Sequence, residues 1–261
     1  MEQNEKRKRG GGSFLLTVKE LNKYFGYFQA VNNVSFEIRG GEIVSIIGTN
    51  GAGKTTLVNL ISGYIKPDSG SILFFDKDIT YISSYKRIQL GVSRSFQLIQ
   101  LFEKASVLDN VRIALFSKYG MIRRAILPAD RYSSVTQEAI TILDNFHLLD
   151  KKDLTPKELS EGDMKILDVA IAFALKSKLL LLDEPTSGVA TYDKFKVMDS
   201  IVAVIRKEGI SSLIIEHDMD IVSGYSDRVI VMHDGQILAE GKPGEIMENK
   251  EVKAAVFGIM G

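Results

Sequence analysis

The feature that most constrains the fold is a glycine-rich segment, Gly48-Thr49-Asn50-Gly51-Ala52-Gly53-Lys54-Thr55-Thr56. It fits the pattern G-x-x-x-x-G-K-[ST], in which the backbone N–H groups of a loop surround phosphate oxygens. Residues 42–47 are mainly apolar and β-branched, which predicts a buried strand before the loop. The residues from Thr55 to Ser62 predict a helix that ends at Gly63. A strand, a glycine loop and a helix N-terminus in this order predict a triphosphate site.

Two side chains of this loop, known as a P-loop, have a direct chemical use. Lys54 offers a positive charge to the β- and γ-phosphates, and Thr55 offers a hydroxyl group to Mg²⁺. The positive end of the helix adds to the field of the loop amides. A chance glycine-rich turn is the alternative, and the predicted strand and helix on either side argue against it.

The composition limits the classes of function. The chain has 261 residues, 45% of them hydrophobic, which is enough to bury a sizeable core. A formal net charge of zero argues against a nucleic-acid binder that uses its whole surface. The absence of cysteine excludes disulfides and thiolate chemistry. No apolar run reaches about eighteen residues, so we expect no membrane span and a membrane role only through a partner.

The N-terminus is polar. Residues 1–13 contain Lys6-Arg7-Lys8-Arg9 and three glycines at 10–12, and they lack the apolar segment of a secretory signal. We expect a disordered basic tail here. Contact with anionic lipid is the alternative, although four charges alone bind a membrane weakly.

An acidic pair follows another predicted strand. Leu179-Leu180-Leu181-Leu182 predicts a buried strand, and Asp183 and Glu184 stand at its carboxyl end, where open α/β sheets place their sites. One carboxylate can hold the Mg²⁺ shell, and its neighbour can accept a proton from attacking water. Acidic pairs also cap helices, and the P-loop upstream favours the catalytic interpretation. A further buried strand, Leu213-Ile214-Ile215-Glu216, is predicted to end at His217.

Three further segments bear on the site. Strands predicted at 14–20 and 31–38 flank the aromatic cluster Lys23-Tyr24-Phe25-Gly26-Tyr27-Phe28, and we expect most of these rings to pack in the core. Ser160 and Asp163 have the spacing of a capping box, which predicts the start of a buried helix. A hairpin with an Asp234-Gly235 turn and a closing helix at 247–257 are expected near the end.

Taken together, these residues resemble the ATPase subunit of an ATP-binding cassette (ABC) transporter. The P-loop, Gln97, the segment 159–163, the acidic pair and His217 stand in the family's order and at about its spacings. The resemblance implies an α/β fold in which a P-loop NTPase core carries an antiparallel β subdomain and a helical subdomain. The implied ATPase domain covers 14–258, with the helical subdomain at roughly 98–176.

The resemblance also implies roles for single residues, with ATP clamped between the P-loop of one subunit and the signature loop of another. It implies that Phe25 stacks on the adenine, and that Ser160 and Gly162 serve the ATP of the opposite subunit. The implied nucleotide contacts in the P-loop are Gly48, Asn50, Gly51, Ala52, Gly53, Lys54, Thr55 and Thr56. The implied metal residues are Thr55, Gln97 and Asp183, and the implied catalytic residues are Glu184, His217 and Gln97.

Finer features resemble importers of branched-chain amino acids. These features are Ser93-Arg94-Ser95-Phe96-Gln97, Leu101-Phe102, Glu216-His217-Asp218-Met219 and Val256-Phe257-Gly258. Importers of urea or short amides and lipopolysaccharide exporters stay open as alternatives. A soluble, non-transport ABC ATPase would carry a coiled-coil insertion or a second cassette, and a regulatory module would lose Glu184 or His217. The chain has neither addition and keeps both residues.

The resemblance implies partners and a place in the cell. The partners are permease subunits, a second ATPase subunit and, indirectly, an extracytoplasmic solute-binding protein. Leu98–Phe102 is expected to dock the permease, and packing of that segment within the domain is the alternative. The implied location is the cytoplasmic face of the membrane, and no nucleic-acid partner is implied.

The signature loop of this chain is the segment 159–163. The family's signature reads Leu-Ser-Gly-Gly-Gln, but Glu161 and Asp163 replace its first glycine and its glutamine. The Glu161 carboxylate near the γ-phosphate of the opposite subunit would cost roughly 1 kcal/mol at about 4 Å in water. A homodimer would carry this cost at both ATP sites, whereas a partner with an ordinary signature would leave one site without it. We therefore expect a heterodimer.

Overall fold

The computed structural model describes residues 14–95, 101–121 and 133–258, and within these ranges it has ten strands and nine α-helices. The strands are β1 (Leu16–Phe25), β2 (Phe28–Ile38), β3 (Ile43–Gly48), β4 (Ser69–Phe74), β5 (Lys77–Asp78), β6 (Val92–Arg94), β7 (Leu179–Asp183), β8 (Ser211–Ile215), β9 (Arg228–His233) and β10 (Gln236–Gly241). The helices are α1 (Lys54–Ser62), α2 (Ser84–Leu90), α3 (Val107–Lys118), α4 (Ser133–Asn145), α5 (Glu161–Ala174), α6 (Thr191–Lys207), α7 (Met219–Tyr225), α8 (Pro243–Glu248) and α9 (Lys250–Phe257).

The larger sheet positions the site. Its strand order is β10-β9-β3-β8-β7-β6, and its pairs are parallel except for the hairpin of β9 and β10. Every residue of β3, β7 and β8 is buried, since both faces of this sheet are covered. Because these three strands are parallel neighbours, their carboxyl ends meet at one edge. The P-loop, the acidic pair and His217 therefore leave the sheet side by side.

The smaller sheet is antiparallel, in the order β2-β1-β4-β5, and it corrects one prediction. The aromatic rings were expected mostly in the core, but β1 and β2 extend to Phe25 and Phe28 and turn at Gly26. The extension carries the rings to the free tip of a hairpin, where Phe25 is 51% and Phe28 63% exposed. The prediction that most of these rings pack in the core is wrong.

The helices α3, α4 and α5 pack against one another, and α5 also contacts β6 and β7. Their apolar side chains join one core cluster with a face of the larger sheet, including Leu180, Leu182 and Ile214. The division that assigns residues 98–176 to a separate helical subdomain stays a prediction. The predicted tail at 1–13 lies outside the described residues.

The C-terminal part confirms one prediction and corrects another. Asp234 and Gly235 turn between β9 and β10 with φ values of 45° and 76°, as a two-residue hairpin turn requires. The single helix expected at 247–257 is instead two helices. Asn249 is extended (φ −66°, ψ 118°) and its side chain accepts the N–H groups of Glu251 and Val252, which starts α9 anew. None of the helices in the described ranges is long and apolar enough to cross a bilayer.

Candidate functional site

The P-loop connects β3 to α1 through a backbone that only glycine fits at two points. A Cβ atom at Gly48 would lie 2.1 Å from the carbonyl oxygen of Met232, and one at Gly53 would lie 2.2 Å from that of Ala30. Both glycines also have positive φ values, 149° and 94°. The loop is therefore shaped by neighbouring strands, and α1 begins directly at Lys54 with no side-chain cap. Its first N–H groups are available to a ligand.

Lys54 is almost fully buried beneath the loop, with 6% of the residue exposed. Its Nζ donates to the carbonyl oxygens of Gly48 at 2.8 Å and Thr49 at 2.9 Å. Burial lowers the pKa of Lys54, and the carboxylates of Glu184 and Asp183 oppose that shift. An ammonium group has three donors, so one remains for a phosphate oxygen.

A cavity of about 290 Å³ opens over the P-loop. It is lined by Phe28, Ala30, Asn50, Gly51, Ala52, Gly53, Lys54, Thr55, Thr56, Glu184 and His217. The structure thus brings the P-loop residues 50–56, Glu184 and His217 to one space, whereas Gly48 lines a second cavity that shares Asn50 and His217 with it. At the hairpin tip Phe28 lines this cavity, whereas the exposed ring of Phe25 stands beside Lys23, whose Nζ is 5.6 Å from the ring centroid.

Glu184 and His217 are in contact across the carboxyl edge of the sheet. Glu184 Oε1 lies 3.0 Å from His217 Nε2. Glu184 adopts a φ of 51° and its N–H donates to the carbonyl of Ile215 at 3.0 Å. A positive φ at a non-glycine residue costs on the order of 1 kcal/mol and persists only where its surroundings hold it. The carboxylate is thus fixed to the end of β8, where it can accept a proton from water in the cavity.

Asp183 lies behind this pair, and its side chain is fully buried. Its Oδ2 accepts from Arg94 Nη2 at 2.6 Å, and Arg94 Nη1 also contacts Asn59 Oδ1 on α1. The other oxygen, Oδ1, has no hydrogen-bond partner among the described residues. A buried carboxylate oxygen without a partner is costly, so this atom and the Thr55 hydroxyl fit the hydrated shell of Mg²⁺. The expected metal residue Gln97 lies outside the described residues.

Ser160 and Gly162 belong to the start of α5 and do not line this cavity of their own chain. Ser160 Oγ accepts the N–H of Asp163 at 3.1 Å, so Ser160 is the N-cap. The Asp163 carboxylate accepts from Ser160 Oγ at 2.6 Å and from Lys151 Nζ at 2.7 Å. In a capping box, a longer glutamate side chain reaches back to the N-cap backbone N–H. The Asp163 carboxylate instead binds the N-cap hydroxyl and Lys151. A Cβ at Gly162 would meet Val197 at 3.0 Å, so α5 and α6 pack closely here.

Comparison with known proteins identifies the family. A family profile described as "ABC transporter" matches residues 31–187, more than half of the chain. The chain belongs to the ABC transporter family. It is an ATP-binding, ATP-hydrolysing subunit, with the P-loop NTPase fold of solved cassettes.

This ABC subunit is similar to branched-chain amino acid transport proteins and to a solved cassette structure over nearly its whole length. The LivG protein of Salmonella typhimurium, a "high-affinity branched-chain amino acid transport ATP-binding protein", is 37% identical over 250 residues, which is 94% of this chain and 98% of the relative. A probable LivG protein of Archaeoglobus fulgidus is 35% identical over 94% of this chain and 95% of its own. A solved ABC transporter cassette in its ADP conformation is 30% identical and superimposes with a TM-score of 0.84, covering 95% of this chain and all of that chain.

Two side chains of this ABC subunit were missed as site residues by the sequence analysis, which used Arg94 and Glu216 only as marks of resemblance. Arg94 pairs with Asp183, and Glu216 accepts hydrogen bonds from the loops that carry the catalytic candidates. For Glu216 the available signal was a charged residue directly after the apolar run Leu213-Ile214-Ile215, whereas Arg94 follows a serine and had no such signal. A charged residue is buried only when it is paired.

Proposed function

We propose that this ABC subunit hydrolyses ATP to power the import of branched-chain or other hydrophobic amino acids. The substrate class is supported by the names of the relatives, which match over nearly the whole chain. Hydrolysis at this site is supported above all by one observation. Glu184 and His217 contact each other in the lining of the cavity, which also contains the P-loop residues 50–56.

The phosphates are held by the P-loop in this proposal. The residues that contact them are Gly48, Asn50, Gly51, Ala52, Gly53, Lys54, Thr55 and Thr56. The Lys54 ammonium releases a loop carbonyl and donates to the β- and γ-phosphates, where negative charge is densest. Phe25 stacks on the adenine, and Phe28, which lines the cavity, offers a second ring surface.

Thr55, Asp183 and Gln97 would hold Mg²⁺, which would neutralise phosphate charge when bound. Glu184 Oε1 accepts the proton of the attacking water, and the His217 imidazole reaches the γ-phosphate. His217 Nε2 lies 3.0 Å from Glu184 Oε1, so the imidazole and the carboxylate face the same space. A water molecule between Glu184 and the γ-phosphate is therefore aligned by a carboxylate that is itself held in place.

The proposed partners are two permease subunits and a second ATPase subunit at the cytoplasmic face of the membrane, with a solute-binding protein on the other side. Docking to the permease falls to Phe102, which is 57% exposed. The buried side chain of Asn110 accepts the Phe102 N–H at 2.9 Å and donates to its carbonyl at 3.2 Å. This clamp presents the ring to solvent, which favours docking over packing within the domain. Phe102→Asp is expected to lower transport in reconstituted vesicles while sparing basal ATPase activity.

The second ATPase subunit is proposed to be a different chain. Glu161 is exposed at the first position of α5, and its carboxylate lies beside Gly188. In a homodimer both ATP sites would face this carboxylate, whereas a partner with an ordinary signature leaves one site without it. The test measures ATPase activity of the purified chain alone and with a co-expressed second subunit. A homodimer that is as active as the mixture removes the basis for this proposal.

Reconstituted vesicles test the transported substrate. The chain is assembled with its permease and binding protein, and uptake of labelled leucine and labelled urea is measured with and without ATP. We expect ATP-dependent leucine uptake that disappears in the Glu184→Gln variant. ATP-dependent uptake of urea without leucine would assign the chain to an amide importer instead. ATP hydrolysis with no uptake of either solute would favour an exporter.

A further inference from the structure

A buried carboxylate lies between the two loops that carry Glu184 and His217. Glu216 directly precedes His217 at the end of β8 and is only 4% exposed. Its Oε1 accepts hydrogen bonds from the Thr186 backbone N–H at 3.1 Å and from Thr186 Oγ1 at 2.7 Å. Its Oε2 accepts the backbone N–H of His217 at 3.1 Å. One side chain therefore holds both loops at once.

The loop after β7 needs such support. Glu184 has a positive φ of 51°, which its surroundings must maintain. Thr186 is two residues farther along, so its two hydrogen bonds to Glu216 fix the chain just beyond the strained residue. The carbonyl of Thr186 in turn accepts the N–H of Val189 at 3.2 Å, which closes the next turn. The distance between the Glu184 carboxylate and the His217 imidazole thus depends on Glu216.

The contacts of Glu216 concern the hydrolytic side of the cavity. Its side-chain hydrogen bonds reach Thr186 and His217, and among the described residues none of these bonds goes to the P-loop at 48–56, although Glu216 lines a cavity together with Gly48, Thr49 and Asn50. A change at Glu216 should therefore alter the chemical step more than the binding of nucleotide. A residue that only stabilised the sheet edge would instead lower the melting temperature without this selectivity.

We propose that Glu216 is a positioning residue for ATP hydrolysis, which holds Glu184 and His217 in register through Thr186 and the His217 backbone. The inference rests on the proposed function, in which Glu184 accepts the proton of attacking water. In this role Glu216 acts through Thr186 and the His217 backbone rather than on the reacting atoms.

The first test uses Glu216→Gln in the full chain, in the assembly in which the wild type hydrolyses ATP. The amide nitrogen of glutamine cannot accept a hydrogen bond, so the backbone N–H of either Thr186 or His217 loses its acceptor. A displacement of about 1 Å near a reacting group costs on the order of 10²-fold, so we expect kcat to fall by about tenfold to a hundredfold. The KM for ATP should change less, within about twofold, because the P-loop supplies most of the phosphate contacts in the ground state.

Thr186 supplies a graded second test. Thr186→Val removes the hydroxyl donor but keeps the backbone donor, and the loss of one hydrogen bond corresponds to a fall in kcat of about fivefold. Thr186→Ser keeps the hydroxyl and should restore kcat to about the wild-type value. In a double variant, Thr186→Val should add little to Glu216→Gln, because both act through one contact.

A matched control separates positioning from general stability. Tyr225→Phe on α7 removes a hydroxyl that contacts Asp199 Oδ1 at 2.7 Å, away from the cavity, and should leave kcat unchanged. The proposal is overturned if kcat of Glu216→Gln stays within about twofold of wild type. It is also overturned if Tyr225→Phe has the same melting temperature as Glu216→Gln and lowers kcat by the same factor. A wild-type chain that binds no ATP in a calorimetric titration would overturn the proposed function itself, so the two failures are distinguishable.

Discussion

Two helices of this ABC subunit begin at loops to which the proposed function assigns phosphate, and they are built differently. The first helix, α1, follows Gly53 at a φ of 94°, has no side-chain cap and has no acidic residue in its first turn. The other, α5, is capped by the hydroxyl of Ser160 and carries Glu161 and Asp163 in its first turn. An uncapped end keeps its N–H groups and positive field for a ligand, whereas capping and carboxylates neutralise them from within. The comparison implies that the P-loop end binds phosphate more strongly than the signature end.

The largest expected effect concerns the residues gathered at the P-loop end. Glu184→Gln keeps the shape of the side chain but cannot accept a proton, and the loss of a general base costs about 10² to 10⁴ in rate. Steady-state ATPase measurements check this, and ATP should still bind. Glu158→Gln, at an exposed carboxylate near the α5 end, is the control. A Glu184→Gln rate within about a factor of two of wild type rules out the role.

The next effect is on affinity. Lys54→Ala removes a charged donor under the P-loop, and such a hydrogen bond is worth about 1.5–3 kcal/mol, or roughly tenfold to 150-fold in Kd. Lys151→Ala, which removes a lysine paired with Asp163 at the α5 end, should leave Kd unchanged. Titration calorimetry with ATP compares the two. Equal losses for the two lysines would remove the contrast between the helix ends.

A smaller effect is expected at the α5 end. Glu161→Gly removes a carboxylate that the proposed homodimer would bring toward the partner's γ-phosphate, and relief of about 1 kcal/mol corresponds to about a fivefold gain in homodimer ATPase activity. The gain should shrink at high ionic strength, because salt screens exposed charges. Brisk hydrolysis by the wild-type homodimer with no gain in the variant would contradict the repulsion.

The smallest effect is on stability. Burial opposes ionisation of Asp163, but hydrogen bonds from Lys151 and Ser160 outweigh it and lower its pKa below the ordinary 3.8. A carboxyl whose folded pKa is lowered stabilises the fold above its unfolded pKa and loses that contribution as the pH falls through the folded value. Asp163→Asn should therefore cost about 0.5 kcal/mol at neutral pH. Denaturant titrations should show this difference shrinking as the pH falls below 3.8 and through the lowered folded pKa, and a constant difference would contradict the ion pair.

The sequence predicts the P-loop end well because its signals are local. Glycine spacing and uninterrupted apolar runs predict β3, α1, β7 and β8, since strands covered on both faces need such runs. The meeting of the acidic pair with His217 also follows, because parallel neighbours share one carboxyl edge.

What the sequence does not predict depends on distant segments. Arg94 and Asp183 are 89 residues apart, and Thr186 and Glu216 are 30 apart, so neither contact has a local pattern. The exposed rings at the first hairpin were mispredicted because apolar composition does not tell how far a hairpin extends beyond its core. The helix break at Asn249 was a recognisable N-cap inside an otherwise helical pattern.

Amide hydrogen exchange on Glu184→Gln, with and without ATP and Mg²⁺, tests the contrast between the two helix ends most directly. The protein is kept dilute enough to be monomeric, so that each helix end is read within one chain. We predict strong protection of the amides at 50–56 and little change at 161–164, where Ser160 already accepts the Asp163 N–H. Equal protection at both ends, or protection at 161–164 alone, would contradict the account.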